Sequence, residues 1–197
     1  MAPQKIMAIR HGEKPTDKHE APYGVTADGE QDWDSLTVRG WQRAGALHTL
    51  FDPSRGGLAS PHLATPTLLY ASKPRSAGET DDGSKSKRPL QTITPLAARL
   101  GLSPKLDFGK GGEAALAAAM LKSSGVVLIC WQHEKIDKIA RDLVGEDPVA
   151  ATLPAVWPGN RFDLIWVLDP PGAPHGRWTF TQVPQNLLAG DQDTIIR

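Results

Sequence analysis

Arginine and histidine side chains follow short apolar segments in this sequence of 197 residues. Arg10 and His11 come directly after the apolar segment 5–9, and His133 comes two residues after the apolar segment 126–131. A neutral imidazole can attack phosphorus and hold it covalently, which divides one displacement into two steps. Guanidinium groups match the geometry of phosphate oxygens and remain charged. Brought to one point, these residue types suit the transfer of a phosphoryl group.

Gly12 would allow Arg10 and His11 to serve one ligand. Adjacent residues of a regular strand point to opposite faces of a sheet, so the strand must end at this pair. Glycine gives the backbone that freedom and lets the Gly12 N–H come close to an anion. We therefore expect the first strand to end here, with the Gly12 N–H beside the phosphate.

A second arginine should complete the phosphate site, and the sequence offers two. A third apolar segment, 67–71, is followed by Ser72 and a polar loop over 72–87. Arg75 lies inside this loop, and Arg88 follows it directly.

A departing alkoxide also needs a proton, so an acidic side chain should stand near the phosphate. Glu134 follows His133 directly, and Glu13 lies two residues after His11. Both carboxyl groups are candidates for the proton donor. Trp131, two residues before His133, is a candidate for lining the pocket.

The elements that position these residues alternate between strand and helix. Apolar segments predict buried strands over 5–9, 67–71, 105–108 (a weak one) and 126–131. Helical spacing and end signals predict helices from Thr37 to before Pro53, from Pro89 to Gly101, over 112–122 and from about 134 to 144. The first of these should bury Val38 and Leu47. Strands over 162–168 and 177–183 flank Pro170-Pro171-Gly172 and predict a β-hairpin at a sheet edge.

This order predicts a single α/β domain over residues 1–197, a three-layer α/β/α sandwich. Its sheet should be mostly parallel with an antiparallel edge hairpin. Ligands of such sheets collect beyond the carboxyl ends of the strands. The arginines and histidines that follow the strands should therefore meet at one edge.

Charge and composition narrow the range of partners. Lys plus Arg equals Asp plus Glu, 22 each, so no overall field attracts nucleic acid or an acidic membrane surface. The single cysteine, Cys130, excludes an internal disulfide and fits a reducing cytoplasm. No apolar stretch approaches the ~18 residues of a membrane span, and no metal-ligand spacing occurs.

We expect a cytoplasmic protein without cofactor or metal that takes a small phosphorylated substrate. The loops 12–35, 72–87 and 146–160 should select that substrate. The oligomeric state stays open.

Arg10-His11-Gly12 resembles the signature of the histidine phosphatase superfamily, which includes cofactor-dependent phosphoglycerate mutases and many phosphatases. Other segments match the family in the same order. They are Leu36-Thr37-x-x-Gly40-x-x-x-Ala44 in the first helix, Arg88-x-x-Gln91-Thr92 with Pro95-Leu96-Ala97 and Leu100-Gly101 in the second, and His133 as the second histidine. Together they span most of residues 5–145.

The resemblance implies a phosphoglycerate mutase-like fold and a phosphatase that hydrolyses a phosphomonoester through a phosphohistidine on His11. It implies that Arg10, Arg88 and His133 form the rest of the phosphate pocket. Arg88 is preferred to Arg75 because the Gln-Thr pair that follows it matches the family.

The resemblance also bears on the proton donor. The acid-phosphatase branch of the family carries an acidic residue directly after the second histidine, which favours Glu134. Some small members have no obvious donor, so Glu13, or no donor at all, remains an alternative.

Two departures from the family keep other functions open. Gln132 replaces the usual glycine before the second histidine. The glutamate of the mutases has no clear counterpart, and Glu113, the nearest, is better interpreted as an acid in the first turn of a helix. A phosphoglycerate-mutase-type phosphotransferase and a non-catalytic phosphate-binding regulatory module are the alternatives to the phosphatase.

Overall fold

The computed structural model describes residues 2–76, 83–172 and 176–197. Within them, five strands form one mixed sheet in the order β2-β3-β1-β4-β5. The strands are β1 (Pro3–Arg10), β2 (Leu68–Ala71), β3 (Gly125–Trp131), β4 (Leu164–Asp169) and β5 (Thr179–Pro184). The first three are parallel, while β4 is antiparallel to both β1 and β5. The predicted edge hairpin is confirmed, although residues 173–175 between its strands lie outside the described residues, as do residues 77–82 of the predicted loop 72–87.

The helices of the described residues follow the predicted order. They are α1 (Val38–Ala46), α2 (His48–Phe51), α3 (Arg88–Leu100), α4 (Glu113–Leu121) and α5 (His133–Val144), followed by a 3₁₀ helix over Pro148–Thr152. The helix predicted from Thr37 to before Pro53 is divided into α1 and α2 at Leu47. The weak strand predicted over 105–108 contributes only an isolated bridge at Lys105, and a second bridge lies just beyond it at Gly109. Among the described residues, no helix combines the length and apolar character needed to cross a membrane.

The sheet is buried on both faces, and alternate residues of β1 show this. Ile6 and Ala8 belong to an apolar cluster with residues of α4 and α5. Met7 and Ile9 belong to a second cluster with residues of α2 and α3. Burial on both faces explains why the strands are uninterrupted apolar segments in the sequence.

The carboxyl ends of the three parallel strands lie level with one another. Arg10 of β1 pairs with Trp131 of β3, and Ala71 of β2 pairs with Cys130. The His11 N–H donates to the Trp131 carbonyl at 3.1 Å. The segments that follow β1, β2 and β3 therefore emerge side by side at one edge of the sheet.

Two glycines hold the segment after β1 against the start of α1. A Cβ atom on Gly12 would lie 2.9 Å from the Gly40 carbonyl oxygen, and one on Gly40 would lie 2.5 Å from the Glu13 carbonyl oxygen. That Glu13 oxygen also accepts the Thr37 N–H at 3.0 Å. Backbone thus packs directly on backbone next to His11, and a side chain at either glycine would separate the two segments.

Replacing Gly40 with alanine is therefore expected to lower the free energy of unfolding by about 1–3 kcal/mol, as overpacking does. This would occur although alanine is the better helix former by about 1 kcal/mol. A Cβ atom on Gly45, in the same helix, would meet nothing within 4 Å beyond its own helix backbone, so Gly45→Ala should be stabilising. Urea unfolding of both variants measures the difference. Equal stability of the two would show that the Gly40 contact is not tight.

Candidate active site

The main chain determines which nitrogen of the His11 ring carries the proton. Its Nδ1 lies 2.7 Å from the Gly12 carbonyl oxygen, which can only accept a hydrogen bond, so we assign the ring proton to Nδ1. Nε2 then carries the lone pair. Burial and the charge of Arg10 lower the pKa of His11 well below its usual value, against the opposing effect of the Gly12 hydrogen bond. The imidazole is therefore neutral at neutral pH, with a nucleophilic Nε2.

Arg10 is fully buried and is held at one end of its guanidinium group. Nη1 donates to the carbonyls of Pro158, Gly159 and Arg161, at 2.8 Å for Gly159. Cζ lies 3.8 Å from the centre of the Phe162 ring. Nε and Nη2 are buried without a partner among the described residues. Burial lowers the pKa of Arg10 to about 10, so it stays charged, and its two unpartnered nitrogens suit the oxygens of an anion.

Arg88 opens α3 and is anchored to the loop before α1. Its Nε donates to the Ser35 carbonyl at 3.1 Å, and its Nη2 donates to the Trp33 carbonyl. Burial lowers the pKa of Arg88, and the Arg88 charge in turn contributes to the lowered pKa of His11. The Arg88 charge thus helps to keep the His11 ring neutral. Arg75, the rival arginine, lies in the loop after β2, where its main-chain N–H donates to the Ser84 carbonyl at 2.8 Å.

The prediction that the Gly12 N–H faces an anion is wrong. This N–H donates to Oγ1 of Thr92 at 2.8 Å, and that hydroxyl donates to the Arg88 carbonyl at 2.7 Å. The side chain of Gln91 accepts the Leu36 N–H at 2.9 Å. The Gln-Thr pair after Arg88 therefore fastens α3 to the end of β1 and to the loop before α1, and it takes the donor that the sequence assigned to phosphate.

His133 and Glu134 form a charged group with Lys110 at the start of α5. Nδ1 of His133 lies 3.1 Å from Oε2 of Glu134, although the atoms do not align as a hydrogen bond. Nζ of Lys110 lies 2.6 Å from Oε1 of Glu134. The contacts with His133 and Lys110 outweigh burial and hold the pKa of Glu134 well below its usual range. Glu134 is therefore ionised at neutral pH, which disfavours its predicted role as proton donor.

Glu13, the alternative donor, is also engaged. Its Oε1 lies 2.8 Å from Nη2 of Arg43 and 3.2 Å from Nε of Arg39. The ion pairs with Arg43 and Arg39 engage this carboxylate, so the geometry disfavours Glu13 as an acid.

Glu113 and Trp131 belong to the protein interior. Glu113 is the first residue of α4, as predicted, and its Oε1 accepts from Nε1 of Trp131 at 3.2 Å and from the Gly111 N–H at 3.0 Å. Trp131 is fully buried in the apolar cluster with α4 and α5. The expectation that it lines the pocket is therefore wrong, because its side chain points to the core of the sheet.

Two groups of site residues were missed from the sequence. The carbonyls of residues 158–161 and the Phe162 ring hold Arg10, but main-chain acceptors leave no mark on a sequence. The Gln132 side chain donates to Oγ of Ser72 at 3.0 Å and joins the ends of β3 and β2. Only the position of Gln132 and Ser72, each directly after a strand, could have indicated this contact.

Comparison with known proteins gives a likeness of fold. No family model and no curated protein matches the sequence. Among solved structures, the chain is similar to a protein provisionally assigned as the phosphohistidine phosphatase SixA from Agrobacterium tumefaciens. The similarity covers 92% of this chain and 99% of that chain, at 20% identity and a TM-score of 0.49.

Proposed function

We propose that this chain is a phosphatase of the histidine phosphatase type, with a phosphoglycerate mutase-like three-layer α/β/α domain. It hydrolyses a small phosphomonoester through a phosphohistidine on His11. The observation that carries the proposal is the hydrogen bond between Nδ1 of His11 and the Gly12 carbonyl. It leaves Nε2 as a nucleophile beside the buried charge of Arg10.

In the first step, the lone pair of His11 Nε2 forms a bond to phosphorus while the bond from phosphorus to the leaving oxygen breaks. The electron pair of that bond goes to the leaving oxygen. The imidazole becomes cationic, so the hydrogen bond from Nδ1 to the Gly12 carbonyl strengthens. Arg10, Arg88 and His133 offset the charge on the phosphoryl oxygens.

In the second step, water attacks phosphorus and the N–P bond breaks, which returns the electron pair to Nε2. The water proton ends on the departed oxygen, directly or through solvent. One ester and one water thus give one alcohol and one phosphate, and His11 is regenerated.

Of the two alternatives, a non-catalytic phosphate-binding module has an observation in its favour. Glu13 and Glu134 are both ion-paired, as expected for a pocket without a working acid. Mutase activity has no such support, because Glu113 is bound inside the protein by Trp131.

Chemical trapping tests the proposal. Wild-type protein is mixed with p-nitrophenyl phosphate, quenched in alkali and digested, and the phosphorylated peptide is identified by mass spectrometry. We expect phosphate on the peptide that contains His11, lost in acid as for a phosphoramidate. Binding of inorganic phosphate without any phosphorylated peptide or turnover would support the non-catalytic module instead. Phosphate on a serine or threonine would contradict the assigned nucleophile.

A further inference from the structure

A cavity of about 360 Å³ adjoins the segment that follows His11. Its lining includes Lys14, Thr16, Pro22, Arg39, Asn160 and Phe162. This volume is in the range of small-molecule sites.

The cavity shares walls with the phosphate site. The Phe162 ring lies 3.8 Å from Cζ of Arg10 and 6.3 Å from the His11 ring, centre to centre. Gly159, another lining residue, accepts from Arg10 through its carbonyl, and a Cβ atom there would lie 3.5 Å from Nε2 of His133. A phosphoryl group held by Arg10 and His133 would thus have the rest of its substrate beside this cavity.

The cavity wall consists mostly of carbon atoms, with Pro22 and Phe162 among its residues. The Arg39 guanidinium at the wall is already bound to the Glu13 carboxylate at 3.2 Å and to the Ala189 carbonyl at 2.6 Å. The hydroxyl groups of a sugar or glycerol would therefore find few partners here, and leaving them unpaired is unfavourable. An apolar group fits this wall better.

Lys14 adds a positive charge to this wall. Within the described residues, its ammonium group has no ion pair or hydrogen bond. Lys14 lines the cavity together with Gly159 and Phe162, which both contact Arg10 of the phosphate site. Burial and the charges of Arg88 and Arg10 lower the pKa of Lys14. It can therefore stabilise negative charge that develops on a departing oxygen.

The neighbouring carboxylates restrict the leaving group further. Glu13 and Glu134 are both held in ion pairs, which disfavours either carboxylate as the acid for a departing alkoxide. An alkoxide leaves poorly without a proton, whereas a phenol, with a pKa of about 10, leaves as a stable anion.

We propose that this cavity is a leaving-group subsite and that the substrate is an aryl phosphate monoester. The proposal rests on the proposed phosphatase function. The aryl ring lies in the cavity, the bond from phosphorus to the phenolic oxygen breaks toward Lys14, and the phenolate takes its proton from the hydrolytic water or solvent.

The test is calorimetric binding of two phosphonates, which keep the phosphoryl oxygens and cannot be hydrolysed. Phenylphosphonate should bind wild-type protein at least about tenfold more tightly than methylphosphonate, because only its ring is buried in the cavity. Thr16→Trp should fill the cavity mouth and reduce the difference to less than twofold, with methylphosphonate binding unchanged. Thr49→Trp, the same change at an exposed position on α2, should keep the difference.

Each outcome decides between the two proposals. Equal binding of both phosphonates to wild-type protein overturns the subsite and leaves the phosphatase proposal standing. A ring preference that persists in Thr16→Trp also overturns it, since the ring would then lie elsewhere. Binding of neither phosphonate, together with no phosphohistidine, overturns both. The wild-type comparison is decisive even if Thr16→Trp does not fold.

Discussion

Replacement of His11 by alanine is expected to lower kcat/KM toward p-nitrophenyl phosphate by about 10⁴-fold or more, as removal of a nucleophile does in other enzymes. In the proposed mechanism, Nε2 of His11 is the atom that bonds to phosphorus, and the hydrogen bond from Nδ1 to Gly12 leaves its lone pair free. Without it, Arg10 and Arg88 can still bind a phosphoryl group but have nothing to transfer it to. Initial rates of nitrophenolate release measure the effect.

His62→Ala is the matched control, because it makes the same change at an exposed histidine. It should keep activity within about twofold. His11→Ala should also keep its affinity for inorganic phosphate, since Arg10 is held by the carbonyls of Pro158, Gly159 and Arg161 rather than by the imidazole. Substantial turnover by His11→Ala would mean that another group is the nucleophile.

The sheet edge could be predicted because its signals are local. Each of β1, β2 and β3 is a short apolar segment that ends at a polar residue, and parallel strands bring such ends to one edge. Arg10, His11 and His133 follow from that argument alone. The edge hairpin was equally predictable from Pro170-Pro171-Gly172.

The division between α1 and α2 could not be predicted. Leu47 keeps a right-handed helical backbone, with φ −55° and ψ −27°, and neither glycine nor proline marks the break. Val38 continues the apolar stripe of the sequence, yet it is 62% exposed. Leu47 itself is buried as predicted.

The ion pairs of Glu134 and Glu13 depend on contacts between distant parts of the chain. Glu134 was favoured as a donor from its place after His133, but contacts with His133 and with Lys110, from the loop before α4, lower its pKa. The carboxylate of Glu13 is ion-paired with Arg43 of α1. Sequence spacing predicts carboxyl groups near the phosphate. Their ion-pair partners, Lys110 and Arg43, are brought to them only by the fold.

Arg43 is the most consequential residue that the sequence did not reveal. In the sequence of α1 it resembles an ordinary surface arginine, but its side chain is only 2% exposed. Its nitrogens lie 2.8 Å from the Glu13 carboxylate, 2.7 Å from the Asp191 carboxylate and 3.0 Å from the side-chain oxygen of Gln185. It thus ties the segment after His11 to the end of the chain.

Replacing Arg43 with methionine is expected to lower the free energy of unfolding by about 3–5 kcal/mol, the usual effect of breaking a buried ion pair. Methionine retains apolar bulk but removes the buried cation between Glu13 and Asp191, which leaves them only the half-exposed Arg39 at 3.2 Å and 4.0 Å. Asp191 is 4% exposed, so water cannot replace the lost partner. Urea unfolding at pH 7 measures the loss.

Arg99→Met is the matched control, since it removes a guanidinium group that lies 2.7 Å from Asp52 on the surface. Surface pairs contribute about 0–1 kcal/mol, so its effect should be small.

The destabilisation caused by Arg43→Met should also depend on pH. Burial would raise the Asp191 pKa, but hydrogen bonds from Arg43 and the Leu188 N–H outweigh it, and the net pKa is lowered. Stabilisation by the pair is therefore complete above the ordinary Asp pKa of 3.8 and declines as the pH falls through the lowered value. The difference between wild type and Arg43→Met should shrink in acid, and a loss at pH 7 no larger than that of Arg99→Met would contradict a buried, charged cluster at this position.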